Sequence, residues 1–117
     1  GDGTNGRGDG TFTAMPETPA TGVNPHDIAS GDFNADGRPD LAVANWNGNN
    51  VTVLLGNGTG GRGDGTFTAL LESPATGVQP RGGFITVDFN ADGILDLAVA
   101  NSSGHTVTVL LGRGTYR

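Results

Sequence analysis

The stretch Gly31-Asp-Phe-Asn-Ala-Asp-Gly-Arg-Pro-Asp-Leu-Ala-Val-Ala-Asn45 decides the reading of this chain, because it occurs twice. Its second copy runs from Asp88-Phe-Asn-Ala-Asp-Gly93 through Asp96-Leu-Ala-Val-Ala-Asn101. Each copy holds an acidic loop followed at once by a short apolar run. In the loop, oxygen-bearing side chains stand at positions one, three, five and nine, with Gly at position six. Such a loop can wrap one hard cation, the Gly allowing the sharp turn and a carbonyl at position seven adding a further oxygen. The candidate ligands are Asp32, Asn34, Asp36, Asp40 and the carbonyl of Arg38, and in the second copy Asp88, Asn90, Asp92, Asp96 and the carbonyl of Ile94. The side chains of Arg38 and Ile94 have no part in this scheme. All-oxygen, carboxylate-rich donors select Ca²⁺, about two per chain, over Zn²⁺ or Cu²⁺, and the ligand number favours it over Mg²⁺.

Two rival readings of the loop can be weighed. An EF-hand needs a bidentate Glu at position twelve, which here falls on Val43 and Val99, and it needs flanking helices. A metal-free Asx-turn hairpin draws on the same Asp-Gly chemistry. Two copies in register, each keeping three Asp and one Asn, weigh against it.

Outward from the loops the duplication continues. Arg7-Gly-Asp-Gly-Thr-Phe-Thr-Ala14 recurs at Arg62 to Ala69, and Pro19-Ala-Thr-Gly-Val23 at Pro74 to Val78. The offset is 55 residues early and 56 later, which places a one-residue insertion near Arg81 to Gly83. Gly1 to Gly6 aligns with Gly56 to Gly61 as the tail of a preceding unit. No segment spaces its apolar residues at helical intervals. Ile28 to Phe33, Leu41 to Ala44, Val51 to Leu55 and Thr66 to Ala69 instead read as four short strands per unit, with Val107 to Leu111 the copy of the third. Apolar residues on both faces, with Ala on one, suit sheets stacked closely, and a radial array of four-stranded blades satisfies this best. A β-sandwich of eight strands is the competing architecture, but it does not require a strict period.

Composition narrows the function. Gly is 22 of 117 residues, and Thr, Asn and Asp are dense, as expected of many tight turns. The net charge is −6, and six of the twelve carboxylates lie in the two loops, so two bound divalent cations would leave −2. With only six basic residues, nucleic-acid binding through a basic face is not expected. Cys is absent, which excludes a disulfide framework and thiolate metal sites, and leaves calcium as the staple of an extracellular or secreted protein. No stretch approaches the roughly 18 apolar residues of a membrane span. The chain opens on Gly1 rather than Met, as expected of a processed or excised piece. An enzyme is not expected. There is no Cys nucleophile, the two His are at non-equivalent positions, and the clustered carboxylates are accounted for by metal ligation.

Taken with Thr52-Val-Leu-Leu-Gly56 and Gly63-Asp-Gly-Thr-Phe67, the opening string resembles the FG-GAP/VCBS repeat family, the calcium-binding β-propeller blades of integrin α-subunit heads, some lectins and many secreted bacterial proteins. Literal Phe-Gly and Gly-Ala-Pro signatures are missing, so the VCBS-like branch is nearer. The resemblance implies an all-β fold of two four-stranded antiparallel blades. It places Ile28 to Asp32 innermost and Thr66 to Ala69 outermost. On that mapping residues 1–14 form an outer strand that completes a neighbouring blade, 15–69 form the first blade, and 70–117 form a second blade lacking its own outer strand. Two blades cannot close a ring, so the chain is expected to complete its propeller as a homo-oligomer, a trimer rather than a tetramer, or to belong to a larger propeller.

The resemblance also implies a calcium-stabilised module that binds carbohydrate, as in a lectin, or mediates adhesion. A self-assembling or designed scaffold without a ligand is the other reading. Propellers bind on a loop face or between blades, which nominates Trp46, Asn47 and Asn49 with His26, and His105 in the second unit. Trp46 could instead cap a blade edge, and the two His could be ordinary surface residues. Arg7-Gly8-Asp9 and Arg62-Gly63-Asp64 spell an integrin-recognition tripeptide, but the repeat already requires these residues for its turn.

Overall fold

Short β-branched and apolar runs separated by Asn-, Asp- and Gly-rich turns leave the backbone one economical way to satisfy its hydrogen bonds, the antiparallel meander. The computed structural model describes residues 3–4, 7–16, 18–70, 73–81 and 83–112. Two very short strands, β1 (Gly3–Thr4) and β2 (Arg7–Gly8), open the chain. Four strands then form one sheet in sequence order: β3 (Pro25–Gly31), β4 (Asp40–Asn45), β5 (Asn50–Thr59) and β6 (Arg62–Ala69). A second sheet holds β7 (Ile85–Val87), β8 (Asp96–Asn101) and β9 (Thr106–Leu110). The described residues contain no helix.

The duplicated sequence gives duplicated geometry. Leu41 pairs with Leu54 and Asn45 with Asn50, while Leu97 pairs with Leu110 and Asn101 with Thr106. The pairings of Gly3 with Gly8 and Thr4 with Arg7 reproduce those of Gly58 with Gly63 and Thr59 with Arg62. Residues outside glycine with positive φ also come in matched pairs: Asn24 with Gln79, Ala35 with Ala91, and Asn49 with His105. The last pair closes the β4–β5 and β8–β9 turns, where Asn49 N–H bonds to Asn45 O and His105 N–H to Asn101 O, each at 3.0 Å.

Three expectations change. The first strand ends at Gly31 rather than Phe33, because Asp32 already belongs to the acidic loop. The third and fourth strands run further than their apolar cores, to Thr59 and from Arg62, because the Gly60–Gly61 turn lets the hairpin continue through polar residues. The second sheet has three strands in this chain. Thr11 to Ala14 stand outside any strand, whereas their copy Thr66 to Ala69 lies within β6.

The core is the seam between the two sheets. Strand alternation puts Ala42, Ala44, Val51, Val53 and Leu55 on one face of the first sheet, and Leu97 and Leu110 on the opposite kind of face of the second. Ala42, Val51, Val53 and Leu97 form one buried cluster, with Phe33, Leu55, Phe84 and Leu110 packed on it. Small residues allow the close approach: a Cβ on Gly31 would meet Leu95 Cδ1 at 3.0 Å. Asp27 Oδ2 accepts Phe84 N–H at 3.2 Å across the seam. The connector after β6 is pinned to both sheets. Val51 N–H bonds to Pro74 O at 2.9 Å, and Arg81 N–H to Ala100 O at 2.9 Å.

Leu97→Ala should open a cavity in this seam and lower unfolding stability by about 2–5 kcal/mol. The exposed-strand change Thr68→Ala should move it by roughly 0.5 kcal/mol or less. Urea unfolding followed by circular dichroism checks both, and equal midpoints for the two variants would contradict a core located at the seam.

Candidate metal centre

Each acidic loop joins the first two strands of its sheet, β3 to β4 and β7 to β8. The carboxylate at position one faces the turn and accepts two backbone N–H groups. Asp32 takes Asp36 N–H at 3.1 Å and Gly37 N–H at 2.8 Å, and Asp88 takes Asp92 N–H at 3.1 Å and Gly93 N–H at 2.7 Å. Position five bonds two residues on, Asp36 to Arg38 N–H at 2.9 Å and Asp92 to Ile94 N–H at 3.0 Å. These bonds hold Ala35 and Ala91 in the left-handed region, with φ of 58° and 61°. That conformation costs an L-residue about 1 kcal/mol or more and marks a loop whose shape is imposed.

Position nine behaves differently. Asp40 and Asp96 are fully buried, and each carboxylate bridges two backbone amides. Asp40 accepts Phe33 N–H at 2.8 Å and Gly56 N–H at 2.8 Å; Asp96 accepts Phe89 N–H at 2.8 Å and Gly112 N–H at 2.7 Å. This works only because the third strand comes so near that a Cβ on Gly56 would lie 2.2 Å from Pro39 O, and one on Gly112 2.2 Å from Leu95 O. Gly56 and Gly112 therefore belong to the site, a role signalled in the sequence by their recurrence at the repeat offset.

The fit of a cation rests on position three. Asn34 Oδ1 is buried and has no hydrogen-bond partner among the described residues. In the second loop the Asn90 amide is placed to donate to Asp88 Oδ1 and Asp92 Oδ1, each at 3.0 Å. In the first loop a buried oxygen without a donor, on a residue between the position-one and position-five carboxylates, suits a hard cation. Among the described residues no three His, Asp or Glu side chains converge as a ready-made metal cluster. The position-nine carboxylates, which would supply the third, are already engaged by backbone amides. Arg38 corrects a further expectation, since its side chain is not idle. It bonds Gly56 O at 3.1 Å and Gly58 O at 3.3 Å and pairs with Asp36 at 2.7 Å. Ile94 cannot do this, so the two loops differ in charge.

These environments shift the carboxyls in opposite directions. The Arg38 N–H, followed by the Arg38 charge, holds Asp36 below its ordinary value, and the Gly93 N–H does so for Asp88. Burial pushes Asp40 up, against the bonds from Gly56 and Phe33, and the Asp36 and Asp32 charges add to the rise. The low carboxyls contribute stability above the ordinary value of 3.8 that is lost as pH falls through their depressed values. Ionised Asp40 acts oppositely, and its cost is relieved as pH falls.

The nominated ligand residues lie at the other end of the first sheet. Register puts Gly31 opposite Asp40 at the loop end and Pro25 opposite Asn45 at the far end, about 17 Å away for a six-residue strand. There Trp46 N–H bonds to Asn24 O at 2.8 Å, and the Trp46 and His26 rings stand 5.2 Å apart, tilted by 53°. The indole Nε1–H is buried without a partner among the described residues. Asn47 is exposed in the same turn. Asn49 is already engaged, its Oδ1 accepting Gln79 N–H at 2.8 Å. His105 occupies the matching turn of the second sheet, where Ser102 replaces Trp46. The Asp of each Arg-Gly-Asp tripeptide serves its own turn, Asp9 bonding Thr11 and Asp64 bonding Thr66 through backbone and hydroxyl.

A family model described as FG-GAP-like repeat matches residues 4–43 and again residues 32–99. The chain belongs to the FG-GAP-like repeat family. Both of its acidic loops fall inside the matched region, as does every strand from β3 to β7. No match was found among curated proteins or among solved structures.

In chelator, Asp40→Ala should lower unfolding stability by roughly 2–4 kcal/mol, since it orphans two buried N–H groups at about 1–3 kcal/mol each and removes one buried charge. Asp36→Ala should cost less than about 1 kcal/mol under the same conditions. Denaturant midpoints decide, and equal losses would contradict the division between a buried brace and a surface loop.

Proposed function

We propose that this FG-GAP-like chain is a calcium-stabilised β-propeller module that binds rather than catalyses, with carbohydrate as its ligand class and an extracellular or secreted setting. The buried Asn34 Oδ1 carries the calcium part. It has no hydrogen-bond partner among the described residues, and Ca²⁺ would satisfy it together with Asp32 and Asp36, with Asp88, Asn90 and Asp92 the equivalent set in the second loop. Asp40 and Asp96 keep lone pairs beyond those given to backbone amides, and so brace each loop from below. Calcium would hold the loop shape and, through Gly56 and Gly112, the third strand. The metal sits at the end of the sheet away from Trp46 and has no catalytic part.

The ligand part rests on Trp46. A half-buried indole beside the exposed His26 imidazole and the exposed Asn47 amide offers an apolar face and hydrogen-bonding groups of the kind that grip a sugar ring. Asn49 and His105 fall outside this cluster as direct ligands. A scaffold without a ligand is the second reading, favoured by the uncovered apolar face of the second sheet.

Calcium at a thousandfold excess over its Kd should add about 4 kcal/mol to stability for each occupied loop, raising the melting temperature, and EDTA should reverse it. Asn34→Ala combined with Asn90→Ala should abolish the calcium increment while leaving the EDTA melt nearly unchanged. A melt indifferent to calcium in the parent chain would refute the metal reading.

Trp46 is the only Trp in the sequence, so its fluorescence reports the second site directly. A glycan-array hit should shift that emission on titration, and Trp46→Ala should lose the array signal. An array blank at high density would favour the scaffold.

A further inference from the structure

The seam between the sheets joins unlike faces, and one face of each kind is left over. The face of the second sheet turned away from the first carries Ile85, Val87, Val107, Val109 and Leu111, all exposed. Their counterparts in the first sheet are the seam itself. Val107 is 65% exposed where Val51 is 0%, and Val109 is 51% exposed where Val53 is 8%. The strand beside them, Asp96 to Asn101, is identical in sequence to Asp40 to Asn45. A surface that is core in one copy of the repeat stands open to water in the other. We propose that this face receives the first sheet of a second copy of the chain, repeating the internal seam head to tail.

Side-chain size supports that occupant. In the internal seam the receiving inner strand is small, with Ala29 and Gly31, and what packs there is large, Phe84 on the core and Leu95 against Gly31. On the open surfaces both sizes are exchanged. The receiving strand carries Ile85 and Val87, and the repeat counterparts of Phe84 and Leu95 in a second copy are the smaller Ile28 and Pro39. Ile28 is exposed, and Leu41, the counterpart of Leu97, is only partly covered. Val43 and Leu54 are already buried within the chain, so the second copy meets the inner strands chiefly. Two like faces from two copies would set large against large, Ile85 against Ile85, without this exchange. Asp27, whose carboxylate clips the internal seam, corresponds to Gly83, so the joint between copies lacks that hydrogen bond.

A head-to-tail joint propagates until it closes. With two blade-like sheets per copy, three copies give six and four give eight, both inside the range of about four to eight blades that propellers use. Three is favoured. The inference rests on the propeller-type reading and is independent of any sugar.

Light scattering coupled to size exclusion, with calcium present and folding checked by circular dichroism, tests it on the intact chain. The expected mass is three times the 11.8 kDa of one chain, or four times. Val109→Asp and Ile28→Asp change side chains exposed in the single chain, so each should give a folded monomer. Mixed together, the two variants should form a one-to-one dimer, because each keeps the face that the other has lost. Val107→Asp is the replacement should Val109→Asp fail to fold. A folded monomeric parent chain would overturn the joint while leaving the module reading intact. An oligomer that Val109→Asp dissolves but Ile28→Asp does not would overturn the head-to-tail geometry. A parent chain without β-sheet dichroism would overturn both readings.

Discussion

A carboxylate with no access to water, held by two backbone amides, is the constraint on which each sheet depends. Asp40 and Asp96 tie the entry of the acidic loop to the third strand, and they can do so only because glycine lets that strand come within reach. Removing water from a charge is costly unless hydrogen bonds replace it, so this brace is strong and intolerant at once. Its reach explains why loop and sheet cannot be treated separately. The loop's shape is set from beneath by the same group that fixes the distance from the second strand to the third. Burial lifts the Asp40 carboxyl while the partly exposed Asp36 is lowered, so the acidic cluster is graded from anchored to available.

Much of this was legible in the residues. Identity between Asp40–Asn45 and Asp96–Asn101 foretold two equal strands, and the structure gives both with the same bounds at the same register. β-Branched, apolar composition located β5 and β9, at Val51 to Leu55 and Val107 to Leu111. Hairpin length escaped detection: Gly56 to Arg62 carries no apolar pattern, and its pairing comes from a glycine turn whose left-handed φ values make the return possible.

At the acidic loops the residue types announced an oxygen-rich site, but spacing could not say which oxygens were spoken for. Alignment treats positions one, three, five and nine alike. The fold does not, committing position nine to backbone amides and leaving Asn34 Oδ1 at position three without a partner among the described residues. Arg38 was read as a mere carbonyl donor, and its reach to Gly56 and Gly58 became visible only once β5 stood beside the loop. Asn45 and Asn101 were likewise silent as sequence. Both are buried with the connecting segment bonded above them: Asn45 takes Gly22 N–H and donates to Thr52, and Asn101 donates to Thr108, which takes Gly77 N–H.

The small ladder at Gly3–Thr4 and Arg7–Gly8 has the register of the β5–β6 tip without a sheet behind it. Its pairing therefore draws on residues at most five apart, and the loop that must close is as short as a hairpin allows. Closure over so few residues costs little chain entropy and is completed in microseconds, well before distant segments meet.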